Sequence, residues 1–152
     1  MADARLNLNH KPFEIEVNGK GETITVDVMS LDFPLRFQKA YESILKIENK
    51  AKAEELIISK KQDHKSDHDI LSSNEKERIK MMNDRFNEMR AVIDDLFGEG
   101  ASKKIFGDYN WVTMFHEFFD AITPVLKEAG MKADSVYESI EKKYGKVDDQ
   151  EL

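Results

Sequence analysis

The chain of 152 residues contains no cysteine, only three prolines and no long apolar run. The absence of cysteine excludes disulfides, thiolate metal sites and a cysteine nucleophile. Because the apolar runs are short, we expect no membrane-spanning segment. The polar stretch that begins with Met1 also lacks the apolar centre of a signal peptide. These absences favour a cytoplasmic protein.

Charge, in contrast, is abundant, because 35% of the residues are charged and the formal net charge is −7. An acidic surface repels phosphate backbones and anionic lipids, so we expect neither nucleic acid nor a membrane as a partner. A chain of this length suits one domain with a sizeable core.

Two short segments near the N-terminus, 13–17 and 23–28, alternate apolar and polar residues as half-buried strands do. Asn18-Gly19 lies between them and is a strong hairpin signal, because both central turn residues need a positive φ. A lone hairpin is marginally stable in water. We therefore expect residues 1–30 to form a β-hairpin that packs on the helical body. The alternative is that its open edge recruits a partner strand.

Two long stretches then show apolar residues three and four positions apart, the spacing of helices. The first has Asp32 as its expected N-cap, followed by Pro34, and runs to about residue 59. The second spans 73–97 and opens with a capping box of Ser72 and Glu75. Its apolar seam consists of Ile79, Met82, Phe86, Met89, Ile93 and Leu96. Between the helices, the polar stretch near 60–73 is expected to be a flexible loop.

A glycine-punctuated elbow over 94–108 joins the second helix to the most apolar helix of the chain, for which Asp108 or Asn110 is the expected cap. Pro124 lies inside that helix and predicts a kink near Asp120 or Ala121. A short helix from Asp134 or Ser135 to the residue before Gly145 completes a helical body over 31–145, and 146–152 is expected to be a disordered tail. The predicted fold class is α+β, mainly α, with an N-terminal two-stranded β-hairpin packed on a three- to four-helix bundle.

Candidate chemistry is sparse. His64 and His68 are four residues apart, as in a two-histidine metal site, but no apolar residues surround them to fix and dry such a site. His116 and Asp120 have the spacing of a helical side-chain pair, yet no nucleophile motif accompanies them. Gly98-Glu99-Gly100 follows a helix and lacks the lysine of a phosphate loop. We expect no catalytic residue, no cofactor and no metal. A small enzyme or metal protein that uses His64 and His68 is the alternative hypothesis.

The aromatic cluster of the apolar helix has two interpretations. Its rings form the core, or some of them anchor a partner, because adjacent phenylalanines point about 100° apart on a helix. The candidate partner-binding residues are Trp111, Phe115, Phe118 and Phe119.

The order of these parts resembles one group of proteins. A hairpin around an Asn-Gly turn, charged amphipathic helices, the stretch from Ile93 to Asp108 and the run Phe115-His116-Glu117-Phe118-Phe119 are similar to the small tail assembly chaperones of long-tailed phages and prophages of Gram-positive bacteria. The resemblance covers about residues 12–130.

This resemblance implies a non-enzymatic role in the host cell cytoplasm. Such proteins bind and solubilise the tape measure protein while the tail tube polymerises, are displaced by tube subunits, and tend to form homo-oligomers. The implied partners are therefore the tape measure protein and the tail tube protein. The alternative is a structural or head–tail joining phage protein that is retained in the particle.

Overall fold

The computed structural model of the chain describes residues 2–8 and 10–144. Its elements follow in the order β1 (Phe13–Val17), β2 (Glu22–Val26), α1 (Phe33–Ser59), α2 (Ser73–Phe97), α3 (Ala101–Phe106), α4 (Met114–Glu128) and α5 (Asp134–Tyr144). The predicted fold class, α+β and mainly α with an N-terminal hairpin, is confirmed. The predicted tail over 146–152 and the helix end at Gly145 lie outside the described residues.

The hairpin is antiparallel, and Ile15 lies directly opposite Ile24. Asn18 and Gly19 have φ angles of 61° and 62°, as the Asn-Gly signal predicted. Ile24 and Val26 are buried in the main core, which confirms that the hairpin packs on the helical body. The second strand ends two residues earlier than the alternating pattern predicted.

Helices α1 and α2 pack antiparallel along their length. At one end the Arg36 guanidinium donates to the Leu96 carbonyl, and at the other Arg78 and Glu55 form an ion pair with an N–O distance of 2.6 Å. The capping box of α2 is present, because the Ser72 hydroxyl accepts the Glu75 N–H at 3.2 Å and the Glu75 carboxylate accepts the Ser72 N–H at 3.1 Å.

The prediction that Asp32 caps α1 is correct in position but wrong in mechanism. Asp32 occupies the N-cap position, yet its side chain makes no cap hydrogen bond. The carboxylate instead accepts from the hydroxyl of Ser30, and this bond is the main reason that the pKa of Asp32 lies below its usual value. The nearby serine hydroxyl thus competes with the helix N–H groups for the same acceptor.

The prediction that Ile79 belongs to the apolar face of α2 that packs on the core is wrong, because Ile79 is 49% exposed. In this half of α2 the cover comes from α1, and the buried residue that faces it is Met81, which packs with Ala51 and Ile58. The remaining seam residues are buried or half-buried. The regular spacing of apolar residues therefore predicted the helix correctly, but it did not predict which face of α2 packs against α1 at this end.

The segment between α1 and α2 contains no helix or strand, as predicted. Asp63 ties it to α2, because one carboxylate oxygen accepts the N–H groups of His64 at 2.9 Å and Asn74 at 3.0 Å. The bond from Asn74 is the largest cause of a lowered pKa at Asp63. The Asn74 side chain in turn donates to the Lys61 carbonyl. The flexibility of this loop stays a prediction.

The apolar helix begins later than predicted, because its N-cap is Thr113 rather than Asp108 or Asn110. Trp111 consequently lies in the loop before α4 and not within the helix. The Asn110 side chain is already used, since its oxygen accepts from Arg90 at 2.7 Å. Pro124 lies inside α4, which continues to Glu128, and the predicted kink stays a prediction.

Candidate binding surfaces

Three of the four candidate partner-binding rings lie in the core of the chain. Phe115, Phe118 and Phe119 are 2%, 7% and 1% exposed, whereas Trp111 is half-buried. Phe106 holds three of them together, with ring centroids 5.0 Å from Phe115, 5.7 Å from Phe118 and 5.9 Å from Trp111. The folded chain therefore covers most of this cluster itself, and the partner-binding role of the four residues stays a prediction.

Phe119 belongs to a second aromatic group, which contacts the first through the ring of Phe118 at 5.2 Å. The Phe119 ring stacks on Tyr144 at 5.5 Å and lies 5.3 Å from Tyr41. The Tyr144 hydroxyl donates to Glu48 at 2.9 Å. Burial is the main reason that the pKa of Tyr144 is raised, and the neighbouring Glu48 adds to it. This group joins α5 to α1 and α4 and has the character of a structural core.

An open groove of about 450 Å³ lies between α1, α2 and the start of α4, and we name it the helical groove. Its apolar lining comes from Ala51, Met82, Phe86, Met89, Val112 and Phe115. This volume falls within the roughly 300–1,000 Å³ of ligand-binding clefts. Phe115 is the one candidate residue that reaches this groove.

Charged side chains line the rim of the helical groove, and two of its carboxylates already have partners. Glu55 pairs with Arg78, and Glu48 accepts from the Tyr144 hydroxyl. Val112 also lines the groove and is 82% exposed, so a large part of its apolar side chain has no cover from this chain. An apolar floor with a polar rim has the composition of a protein-binding surface.

A second cleft, of about 370 Å³, lies between the hairpin and α3–α4, and we name it the hairpin cleft. Ile15 and Val17 of β1 form one wall, and Trp111, Ala121 and Val125 lie on the other. Trp111 is held there by its indole N–H, which donates to Glu117. The same carboxylate accepts from the Thr113 hydroxyl, and the indole bond is the largest cause of a lowered pKa at Glu117.

Arg90 organises the elbow that joins the two surfaces. Its guanidinium donates to the Gly107 carbonyl at 2.9 Å, the Tyr109 carbonyl at 2.9 Å and the Asn110 side chain at 2.7 Å. It also lies 5.5 Å from the centre of the Phe106 ring. Desolvation lowers the pKa of Arg90. Sequence reasoning missed this residue, although its position four residues after Phe86 and on the core side of α2 was a signal.

Asp94 completes the elbow one helical turn further on. Its carboxylate accepts the Ser102 N–H at 2.7 Å, which fixes the start of α3. Gly107, with a φ of 81°, then turns the chain so that its carbonyl reaches Arg90. The two side chains of α2 therefore hold the loop that carries Trp111 and Val112.

The candidate metal residues show no converging ligands. His64 and His68 are both exposed, and among the described residues no three histidine or acidic side chains could hold a metal ion. The ring of His116 lies against Tyr144 at 5.4 Å instead of pairing with Asp120. Within the same part of the chain, no helix is long and apolar enough to cross a membrane.

A search of curated proteins and a search of solved structures returned no significant similarity. A family model described as a family of unknown function, DUF6673, matches residues 20–150. The match covers most of the chain, from the hairpin turn through the five helices of the described residues. The chain therefore belongs to the family of unknown function DUF6673.

Proposed function

We propose that this chain is a non-enzymatic tail assembly chaperone, which binds the tape measure protein in the host cytoplasm and keeps it soluble while the tail tube assembles. The helical groove is the observation that carries the proposal. It is apolar at its floor, charged at its rim and open to solvent. The partner's identity comes from the resemblance of the sequence, since the family description assigns no activity.

The apolar lining of the helical groove suits one apolar face of a helix. Amphipathic helices bind in grooves through apolar anchors three and four residues apart. Met82 and Val112 offer apolar surface at the groove, and the acidic net charge of the chain would keep a complex with an aggregation-prone partner dispersed. Homo-oligomerisation and displacement by the tail tube protein are parts of the same proposal.

Co-expression with the candidate tape measure protein tests the proposal. The expected result is that the long protein becomes soluble and co-purifies with this chain. Val112→Glu places a charge at the groove, and because the Val112 side chain is 82% exposed we expect this variant to fold like the wild type. We expect this variant to lose most of the co-purified partner, because an unpaired carboxylate would be buried on binding.

Leu31→Glu is the matched control, because Leu31 is fully exposed and does not line the helical groove. It should retain the partner. Equal recovery with both variants would contradict binding in the groove, and a tape measure protein that is equally soluble alone would contradict the chaperone function. Recovery of the chain from purified particles would instead favour the structural or head–tail joining alternative.

A further inference from the structure

The two edges of the hairpin differ in how they are covered. On the β2 side, the Lys104 ammonium donates to the Thr23 carbonyl at 3.2 Å. The Asn18 side chain donates to the Ile105 carbonyl at 2.9 Å, which fixes α3 beside the turn. A lysine and a helix laid on an edge are ordinary means of closing it. The β2 edge is therefore covered by the chain itself at Thr23.

The β1 edge has no such cover among the described residues. Thr23 is the ladder partner of Glu16, and Thr25 is the partner of Glu14. The Thr23 carbonyl points away from β1, towards Lys104, so Thr23 and its partner Glu16 do not hydrogen-bond to each other. The backbone N–H and C=O of Glu16 therefore point out of the β1 edge. Backbone direction repeats every second residue, so the N–H and C=O of Glu14 point out of the same edge. Outside the ladder, no backbone hydrogen bond of the described residues reaches Glu14 or Glu16.

The side chains of β1 define what could pair there. Glu14 and Glu16 are exposed, while Ile15 and Val17 are half-buried and line the hairpin cleft. Beyond them the cleft continues to Ala121, which is exposed on α4. In a strand added to β1, every second side chain would lie over this apolar cleft. The side chains between them would lie on the other face, beside the carboxylates of Glu14 and Glu16.

We propose that β1 accepts an extended segment of a partner protein as a third strand, with apolar residues at every second position and lysine or arginine between them. A second copy of this chain is the less favourable occupant. Antiparallel pairing of two β1 strands centred on Ile15 sets Glu14 directly opposite Glu16 of the other copy, and like charges in that position repel. This surface is separate from the helical groove, so the inference does not depend on the proposed function.

The probe is a capped eight-residue peptide of alternating valine and lysine, added to the full chain and followed by calorimetry and by amide hydrogen exchange. Binding should slow exchange at the amide of Glu16, because that N–H gains a ladder hydrogen bond. Two matched peptides serve as controls, one with N-methyl groups on its lysine backbone nitrogens and one with N-methyl groups on its valine backbone nitrogens. Each of them lacks the N–H donors along one edge of the strand. The peptide whose methylated edge faces β1 should bind at least ten-fold more weakly. Binding without protection of Glu16, or equal affinity of all three peptides, would overturn the proposal.

Glu14→Pro tests the edge from the side of the protein. Proline removes only an outward N–H and belongs on edge strands, so the ladder to β2 is retained. We expect at least a ten-fold loss of affinity, against two- to five-fold for Glu14→Gln, which removes the charge and keeps the N–H. Unchanged affinity in Glu14→Pro would overturn the assignment. A dimer of the chain alone that Glu14→Pro dissociates would overturn the choice of a different protein as the occupant.

Discussion

Replacing Arg90 by methionine tests whether one side chain holds the elbow in place. Methionine keeps most of the apolar stem but removes three hydrogen bonds of 2.7–2.9 Å to residues 107–110. A hydrogen bond makes a net contribution of about 1 kcal/mol to the free energy of unfolding, and a bond to a charged group contributes more. Because Arg90 is only half-buried we use the lower value, so its three bonds together contribute about 3 kcal/mol. This is a large share of the ~5–15 kcal/mol that stabilises a domain.

Urea unfolding followed by circular dichroism measures this change as a difference in the free energy of unfolding. Arg90→Lys should fall between the wild type and Arg90→Met, at a loss of about 2 kcal/mol, because an ammonium cannot reach all three acceptors at once. Hydrogen exchange should quicken first in the loop before α4, where the lost acceptors lie.

Arg36→Met is the control, because among the described residues that guanidinium makes one hydrogen bond, of 3.3 Å, to the Leu96 carbonyl. Its expected loss is about 0.5–1 kcal/mol. If Arg90→Met and Arg36→Met differ by less than about 0.5 kcal/mol, the reasoning about the elbow is refuted.

The other stability predictions concern the Ser72 N-cap of α2 and the hydroxyl of Tyr137. Ser72→Ala removes the N-cap of α2 and should cost about 1 kcal/mol in urea unfolding, whereas Ser139→Ala, at an exposed position of α5, should change stability by less than about 0.5 kcal/mol. Burial raises the pKa of Tyr137 to about 12, while the unfolded chain loses that proton near pH 10. The contribution of Tyr137 to the free energy of unfolding is therefore fully present below about pH 10 and is lost as the pH rises towards 12. Tyr137→Phe lacks this group and should lose less stability between about pH 9 and pH 11 than the wild type. Equal losses would contradict this, and part of the loss should remain because the pKa of Tyr144 is raised in the same direction.

Local signals predicted most of the secondary structure. The bounds of α2 at Ser73 and Phe97 follow from a capping box and a glycine, both of which act within a few residues. Asn18-Gly19 likewise located the turn. Such signals need no knowledge of the rest of the fold, because donor and acceptor are neighbours in sequence.

Errors arose where a distant element decided the outcome. Asn110 was expected to cap α4, but Arg90 uses its side chain from twenty residues away. Ile79 had the right spacing, yet α1 covers Met81 instead. The same limit applies to the surfaces, because the position of Val112 at the helical groove depends on how the elbow folds. The candidate aromatic residues were located as a cluster, but their burial could not be read from spacing.

The bonds from Asn18 to the carbonyls of Lys104 and Ile105 join residues 86 and 87 positions apart. During synthesis the hairpin therefore leaves the ribosome long before α3, and it remains a marginal two-stranded unit until then. Closing so large a loop is slow, since its entropy must be overcome before any contact forms. The nascent chain thus passes through a stage in which both hairpin edges are open, and the completion of α3 covers the β2 edge at Thr23.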